Sequence, residues 1–138
     1  MKRLQQIAPA QLGAVWPRLR DAIEETGSSD GCIPEDVYCA VKMGGASLHL
    51  LLIDEVECGF LVLRGIQDFD GVRLHIWVLY AKSDVDVMAE FSDELDAMGR
   101  SINASRVTFG TSRRGWEKVA PRYHFQVREI VYERKIKP

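Results

Sequence analysis

Apolar residues step through the first third of the chain at helical intervals and run through the middle third as strands. Leu4 and Ile7 lie in a short opening stretch that reads as a first strand. Pro9 can open a helix, and Leu12, Val15, Trp16, Leu19 and Ile23 recur at three- and four-residue steps, so one face of that helix is apolar. Pro17 interrupts the pattern and predicts a kink or a division. Gly27-Ser28-Ser29-Asp30-Gly31 reads as a loop. Pro34 opens a second, short helix with Val37 and Val41 on its inner side, and Gly44-Gly45 ends it.

Three apolar runs of strand length follow: Ser47 to Asp54, Cys58 to Ile66 and Val72 to Ala81. Asp54-Glu55 and Asp68-Phe69-Asp70-Gly71 separate them, and links this short predict an antiparallel meander. Strict alternation in the third run sets Leu74, Ile76, Val78 and Tyr80 on one face and Arg73, His75, Trp77 and Leu79 on the other. Large groups on both faces predict a strand covered on both sides.

Met88, Phe91, Leu95, Met98 and Ile102 then give the clearest amphipathic pattern of the chain. It predicts one helix from about Asp84 to Ala104, capped by Ser83 or Asp84, with those five residues buried. Ser105 to Gly110 reads as a strand reached by a crossover, hence parallel to its neighbour. Thr111 to Ala120 is a short helix carrying Trp116 and Val119, stopped by Pro121. In Tyr123 to Ile136, Phe125, Val127, Glu129, Val131 and Glu133 alternate, which predicts one long final strand or a bent pair. The expected class is α/β (α+β), one domain over residues 1–138, with a mixed, mostly antiparallel twisted sheet and helices on both faces.

Composition narrows the function. Apolar residues are 46% and charged residues 28% of the 138, ordinary for a globular domain. A net charge of −2 gives no electrostatic case for nucleic acid or an anionic membrane. Cys32, Cys39 and Cys58 are an odd set without close spacing, so small buried thiols are expected rather than disulfides, and no metal site. The apolar stretches at Leu50–Ile53 and Ile76–Ala81 are far too short to span a membrane. Met1-Lys2-Arg3 leads into Leu4-Gln5-Gln6 rather than an apolar leader, so a cytoplasmic protein is expected. His49 and His75 sit between apolar neighbours and read as core histidines, and His124 marks a turn. Arg113-Arg114 and the tail residues Arg134, Lys135 and Lys137 read as solvated basic patches that could also meet an acidic partner.

The order of elements, and the segment Trp116-Glu117-Lys118-Val119-Ala120-Pro121-Arg122-Tyr123-His124-Phe125, resemble the GNAT N-acetyltransferase superfamily. That family's closing helix often reads Tyr-Glu-Lys before a Gly-Phe pair. The resemblance covers nearly the whole chain. It implies that acetyl-coenzyme A would enter a gap beside the strand before the long helix, with its pyrophosphate on that helix's N-terminus. The family's loop there is rich in glycine, whereas Ala81-Lys82-Ser83-Asp84-Val85-Asp86-Val87 has none and carries two carboxylates. If the site were active, the resemblance would put Val78, Tyr80, Lys82 and Ser83 on the coenzyme. Glu55, Glu57 or His75 would be the base. Tyr123 would be a substitute acid, because Trp116 stands where the family often has its proton-donating tyrosine.

These departures lead to the expectation of a non-catalytic GNAT-like protein with no cofactor, acting as a structural or interaction component. Small GNAT-like proteins of short-tailed bacteriophage particles are similar in losing the glycine loop, which implies the host cytoplasm or the virion as the location. The alternative is an N-acetyltransferase using acetyl-CoA through a divergent pyrophosphate loop. A regulatory, toxin-neutralising domain is a third reading. The C-terminal strand is the expected site of a protein partner or of self-association.

Overall fold

In the computed structural model, which describes residues 1–27 and 32–138, the apolar runs of the middle third form the centre of a five-stranded sheet. The strands are β1 (Lys2–Gln6), β2 (Ser47–Ile53), β3 (Val56–Asp68), β4 (Gly71–Ala81) and β5 (Ala104–Phe109), side by side in that order. The first four pair antiparallel, and β5 lies parallel to β4, as a crossover connection requires. Helices α1 (Leu12–Gly27) and α2 (Pro34–Lys42) cover one face. Helices α3 (Val87–Glu90), α4 (Ser92–Ser101) and α5 (Trp116–Val119) belong to the other. The fold is the expected mixed, mostly antiparallel sheet with helices on both faces. Of the loop expected at Gly27–Gly31, all but Gly27 lies outside the described residues.

Two tight turns set the meander. Asp54 and Glu55 both adopt left-handed conformations, with φ of 50° and 66°, which closes the two-residue link between β2 and β3. Gly71, at φ 115°, closes the link between β3 and β4. The resulting sheet buries two apolar layers. Leu12, Leu19, Ile23, Val37, Val41, Leu48, Leu50, Phe60, Val62 and Val78 pack under α1 and α2. Leu51, Leu61, Leu63, Leu74, Ile76, Met88, Phe91 and Leu95 pack under α3 and α4.

Several expectations are corrected. Pro17 lies inside an unbroken α1 and does not divide it. The single helix expected from Asp84 to Ala104 is two helices, because Phe91 leaves helical geometry at φ −116°, ψ 16°. The cap is Asp86, not Ser83 or Asp84. Phe91 is fully buried and Met88 and Leu95 are buried, but Ile102 follows the helix and stays 38% exposed. The final strand does not form: after Tyr123 the chain has no ladder partner among the described residues. Of the thiols, Cys58 is buried, Cys32 is intermediate and Cys39 is exposed.

The strict alternation expected in β4 also breaks. Val62 pairs with Val78 and Leu63 with Ile76, so Trp77 is an extra residue, a β-bulge. The bulge switches faces. Leu74 and Ile76 pack under α3 and α4, whereas Val78 packs under α1 and α2, with Trp77 against the same cluster. No helix among the described residues is long and apolar enough to cross a membrane.

Candidate functional site

The bulge sits where the sheet opens. β5 stays with β4 from Val72↔Ala104 to Ile76↔Phe109 and then ends. β4 continues to Ala81 with only β3 beside it. Trp77 to Ala81 thus present a strand edge without a ladder partner among the described residues, and the gap on that side is the place where an extended ligand could lie along β4.

His75 stands at the point of divergence. Its Nδ1 lies 3.0 Å from the Thr108 hydroxyl, directly across the β4–β5 pair, and 3.3 Å from an Arg73 nitrogen. Arg73 also donates to Thr108 at 2.9 Å and to Asp68 at 2.6 Å. Burial lowers the imidazole's proton affinity, and the Arg73 and Arg64 cations lower it further. The ring is therefore held neutral at pH 7, the form that can accept a proton. Arg64 lies 4.6 Å over the Trp77 ring. Thr108 as His75's partner was not picked out from sequence, although aligning the two parallel strands would have placed it there.

The other proposed bases are elsewhere and already engaged. Glu55 is in the β2–β3 turn, held by two bonds from Arg3 at 2.8 and 2.7 Å, and that guanidinium pulls its carboxyl below the ordinary range. The turn lies past the Gly59↔Ala81 pair, and that pair is already roughly 20 Å from His75 along β4 at about 3.3 Å per residue. Glu57 is clamped by Arg18 at 2.6 and 3.0 Å. His49 is fully buried in β2, as expected of a core histidine; its Nε2 meets the Ser47 hydroxyl at 2.8 Å, its Nδ1 has no partner among the described residues, and burial pushes its pKa down to about 4. His124 ends the last 3-10 turn in a left-handed conformation. Among the described residues no cluster of His, Cys, Asp and Glu could hold a metal ion.

The proposed coenzyme contacts divide in the same way. Val78 is buried under α1, and Tyr80 stacks on Phe60 with centroids 5.5 Å apart. Lys82 and Ser83 are exposed. The Lys82 N–H donates to the Cys58 carbonyl at 2.9 Å, and its own carbonyl accepts from Val85 at 3.0 Å, so this loop is a hydrogen-bonded turn.

Asp86 closes the end of the turn. One carboxylate oxygen accepts the Ala89 N–H at 3.3 Å and caps α3; the other accepts the Tyr123 hydroxyl at 2.5 Å. That bond raises the phenol's pKa, because ionising it would set two anions side by side. Behind Tyr123, Trp116 packs edge-on against Phe109 at 4.8 Å, and Phe125 against Phe109 at 5.0 Å. The aromatic cluster and the α3 terminus are thereby joined across the open end of the gap. The resemblance implies acetyl-CoA along this edge of β4, where Trp77 to Ala81 offer their backbone groups. The α3 terminus does not suit its diphosphate: the capping carboxylate already occupies it, the loop offers no glycine for close backbone approach, and α3 is a single turn.

No sequence-family model matches the chain, nor does any curated protein sequence. Solved structures do resemble it. An aminoglycoside N-acetyltransferase in complex with CoA is 11% identical with a TM-score of 0.68, the match covering 98% of this chain and 95% of that one. A predicted acetyltransferase with acetyl-CoA from Clostridium acetobutylicum is 13% identical with a TM-score of 0.65, covering 98% and 96%. A ribosomal-protein-alanine N-acetyltransferase from Brucella melitensis biovar Abortus 2308 is 10% identical with a TM-score of 0.64, covering 99% and 100%. The chain has the GNAT acetyltransferase fold over nearly its whole length.

Proposed function

We propose that the chain uses the acetyltransferase fold as a binding scaffold, a structural or interaction component without acetyl transfer of its own. The observation that carries this reading is Asp86. Its carboxylate takes both an N–H at the α3 terminus and the Tyr123 hydroxyl. The N–H that would face a phosphate and the hydroxyl that would donate a proton are both spent on that carboxylate. A fold stripped of its cofactor seat is still a rigid surface, and fold alone does not fix function. The glycine-free loop is shared in style with the small GNAT-like proteins of short-tailed phages. That likeness implies a component of a phage particle, made in the host cytoplasm, as one setting for this reading.

A second reading, an N-acetyltransferase with a divergent pyrophosphate loop, is favoured by one observation. The β4–β5 gap is open, and neutral His75 stands at its inner end beside Thr108. In that reading His75 takes the proton from the acceptor amine. Lys82, exposed beside the turn, would meet a phosphate.

Calorimetric titration with acetyl-CoA separates the two. The scaffold reading expects no binding tighter than about 1 mM in the wild-type chain. It also expects about a tenfold gain on replacing Asp86 with Gly, which frees the terminus and removes the anion. A low-micromolar wild-type affinity together with acetylation of any amine would establish the second reading in its place.

A further inference from the structure

The outer edge of β5 is open. Among the described residues β5 ends the sheet and pairs only with β4. Beside it the chain runs from His124 to Arg128. Phe125 packs on Phe109 at one end of β5, and Arg128 bonds Asp70 at 3.1 and 3.2 Å beyond the other, so this segment passes antiparallel to β5 without pairing with it. A groove of about 540 Å³ separates them, with Met88, Leu95 and Asp96 among the residues lining it from α3 and α4. Unpaired N–H and C=O groups along a strand edge are a template for another strand.

Past Arg128, residues Glu129–Pro138 lie in the open. Ile130, Val131, Tyr132 and Ile136 are all exposed, Tyr132 at 89% and Ile136 at 91%. Single exposed apolar residues are ordinary, but a run of β-branched and aromatic ones in one segment is strand composition without a strand's partner. In an extended conformation Ile130, Tyr132, Arg134 and Ile136 share one face. That face is apolar with one cation; the α-helical side of the groove is made of Met88, Ser92, Leu95 and Asp96, two apolar side chains with one hydroxyl and one anion. The cations of the segment, Arg134, Lys135 and Lys137, outnumber Glu129 and Glu133 and gather toward its second half, and exposed Asp93 and Asp96 lie on α4.

The segment is badly placed to enter its own groove. By Arg128 the chain has already run the length of β5, and Asp68 and Asp70 hold it there. Returning would need a reversal at once, and Glu129-Ile130-Val131 offers no Gly, Pro, Asn or Asp to make one.

We propose that Glu129–Pro138 of one copy adds as a strand to the β5 edge of a second copy. In this pairing Ile130 and Tyr132 lie toward Met88 and Leu95, and Arg134 meets Asp96. Reciprocal exchange gives a closed twofold dimer. The inference stands independently of whether acetyl-CoA binds.

Sedimentation equilibrium tests it on the full chain from about 1 to about 100 µM. The expected mass rises with concentration toward twice 15.6 kDa. Ending the chain at Arg128 gives a monomer, and so does Ile130→Lys with Tyr132→Lys, which alters only exposed side chains and keeps the wild-type circular dichroism. Arg134→Glu weakens the dimer about tenfold, and adding Asp96→Arg restores it. A monomer at every concentration overturns the proposal. So does a dimer that survives the double lysine variant, or a monomer whose 129–136 amides are protected from exchange, which would place the segment in its own groove.

Discussion

The Tyr123 hydroxyl donates a 2.5 Å hydrogen bond to the Asp86 carboxylate, joining residues 37 positions apart across the open end of the sheet. The same carboxylate caps α3, so one side chain fastens the segment after α5 to the helix that follows β4. Neither residue alone signals this. Asp before a helix is an ordinary cap, and Tyr123 is the last residue of a 3-10 turn that Pro121 opens.

Replacing Asp86 with Ala is expected to lower unfolding stability by about 1 kcal/mol, the usual cost of a lost N-cap, measured by urea denaturation. Tyr123 is expected to ionise above the ordinary tyrosine value of about 10, read from tyrosinate absorbance. The folded-state pKa is the higher one. The contribution is therefore complete below pH 10 and is lost as pH rises through the folded value. In Asp86→Asn the titration should fall back toward 10. An Asp86→Asn phenol that titrates like the wild type would show that the pair is not formed in solution.

His49 gives an acid-side counterpart with the opposite sign. Burial holds it to a pKa of about 4 in the folded chain, against about 6.5 when unfolded. The unfolded state binds the extra proton between these values, so the contribution is complete above pH 6.5 and is lost as pH falls through 4. Between pH 7 and pH 5 the loss is about 2 kcal/mol. His49→Leu should remove most of that difference in urea unfolding at the two pH values. Equal losses in variant and wild type would count against a buried neutral imidazole.

Apolar periodicity carried most of the fold, and it failed where a backbone detail outweighed the pattern. Met88, Phe91 and Leu95 are buried as their spacing requires. The same spacing cannot show that Phe91 itself leaves helical geometry, because a buried aromatic ring fits the pattern on either side of a break. Alternation in β4 hid the bulge at Trp77, since apolar residues lie on both faces of that strand. The expected final strand has strand composition, but a strand needs a partner, and among the described residues none pairs with 129–138. The candidate site was less legible still. His75 was visible, but Thr108 and Asp86's hold on Tyr123 depend on contacts between distant segments.

The two ends of the amphipathic pattern should respond differently to truncation. Phe91→Ala removes a fully buried ring at the α3–α4 junction and should cost about 3–5 kcal/mol. Ile102→Ala, at a 38% exposed site after α4, should cost less than about 1 kcal/mol. Chemical denaturation of both decides the matter, and similar costs would mean that α4 extends further than its Ser101 boundary.

Two glycines of β3 make the sharpest contrast available within one strand. A Cβ on Gly59 would stand 2.2 Å from the Tyr80 carbonyl oxygen and 2.7 Å from the Ala81 Cα. Both are backbone atoms, which cannot rotate away. The only relief is to part β3 from β4 at the end where β4 has already lost β5 and where the Lys82 N–H reaches the Cys58 carbonyl at 2.9 Å. Gly59→Ala should therefore destabilise by about 1–3 kcal/mol, as overpacking does, and the Lys82 amide should exchange faster with solvent. A Cβ on Gly65 would meet only the Ile102 Cδ1, at 3.3 Å. That methyl ends a flexible and partly exposed side chain, so it can give way. Alanine there has fewer unfolded conformations than glycine and better strand propensity. Gly65→Ala should be neutral to stabilising by about 0.5 kcal/mol. If both alanines cost the same, the close approach of β3 to β4 at Gly59 is not a feature of the folded chain, and the open end of the gap would have to be drawn differently.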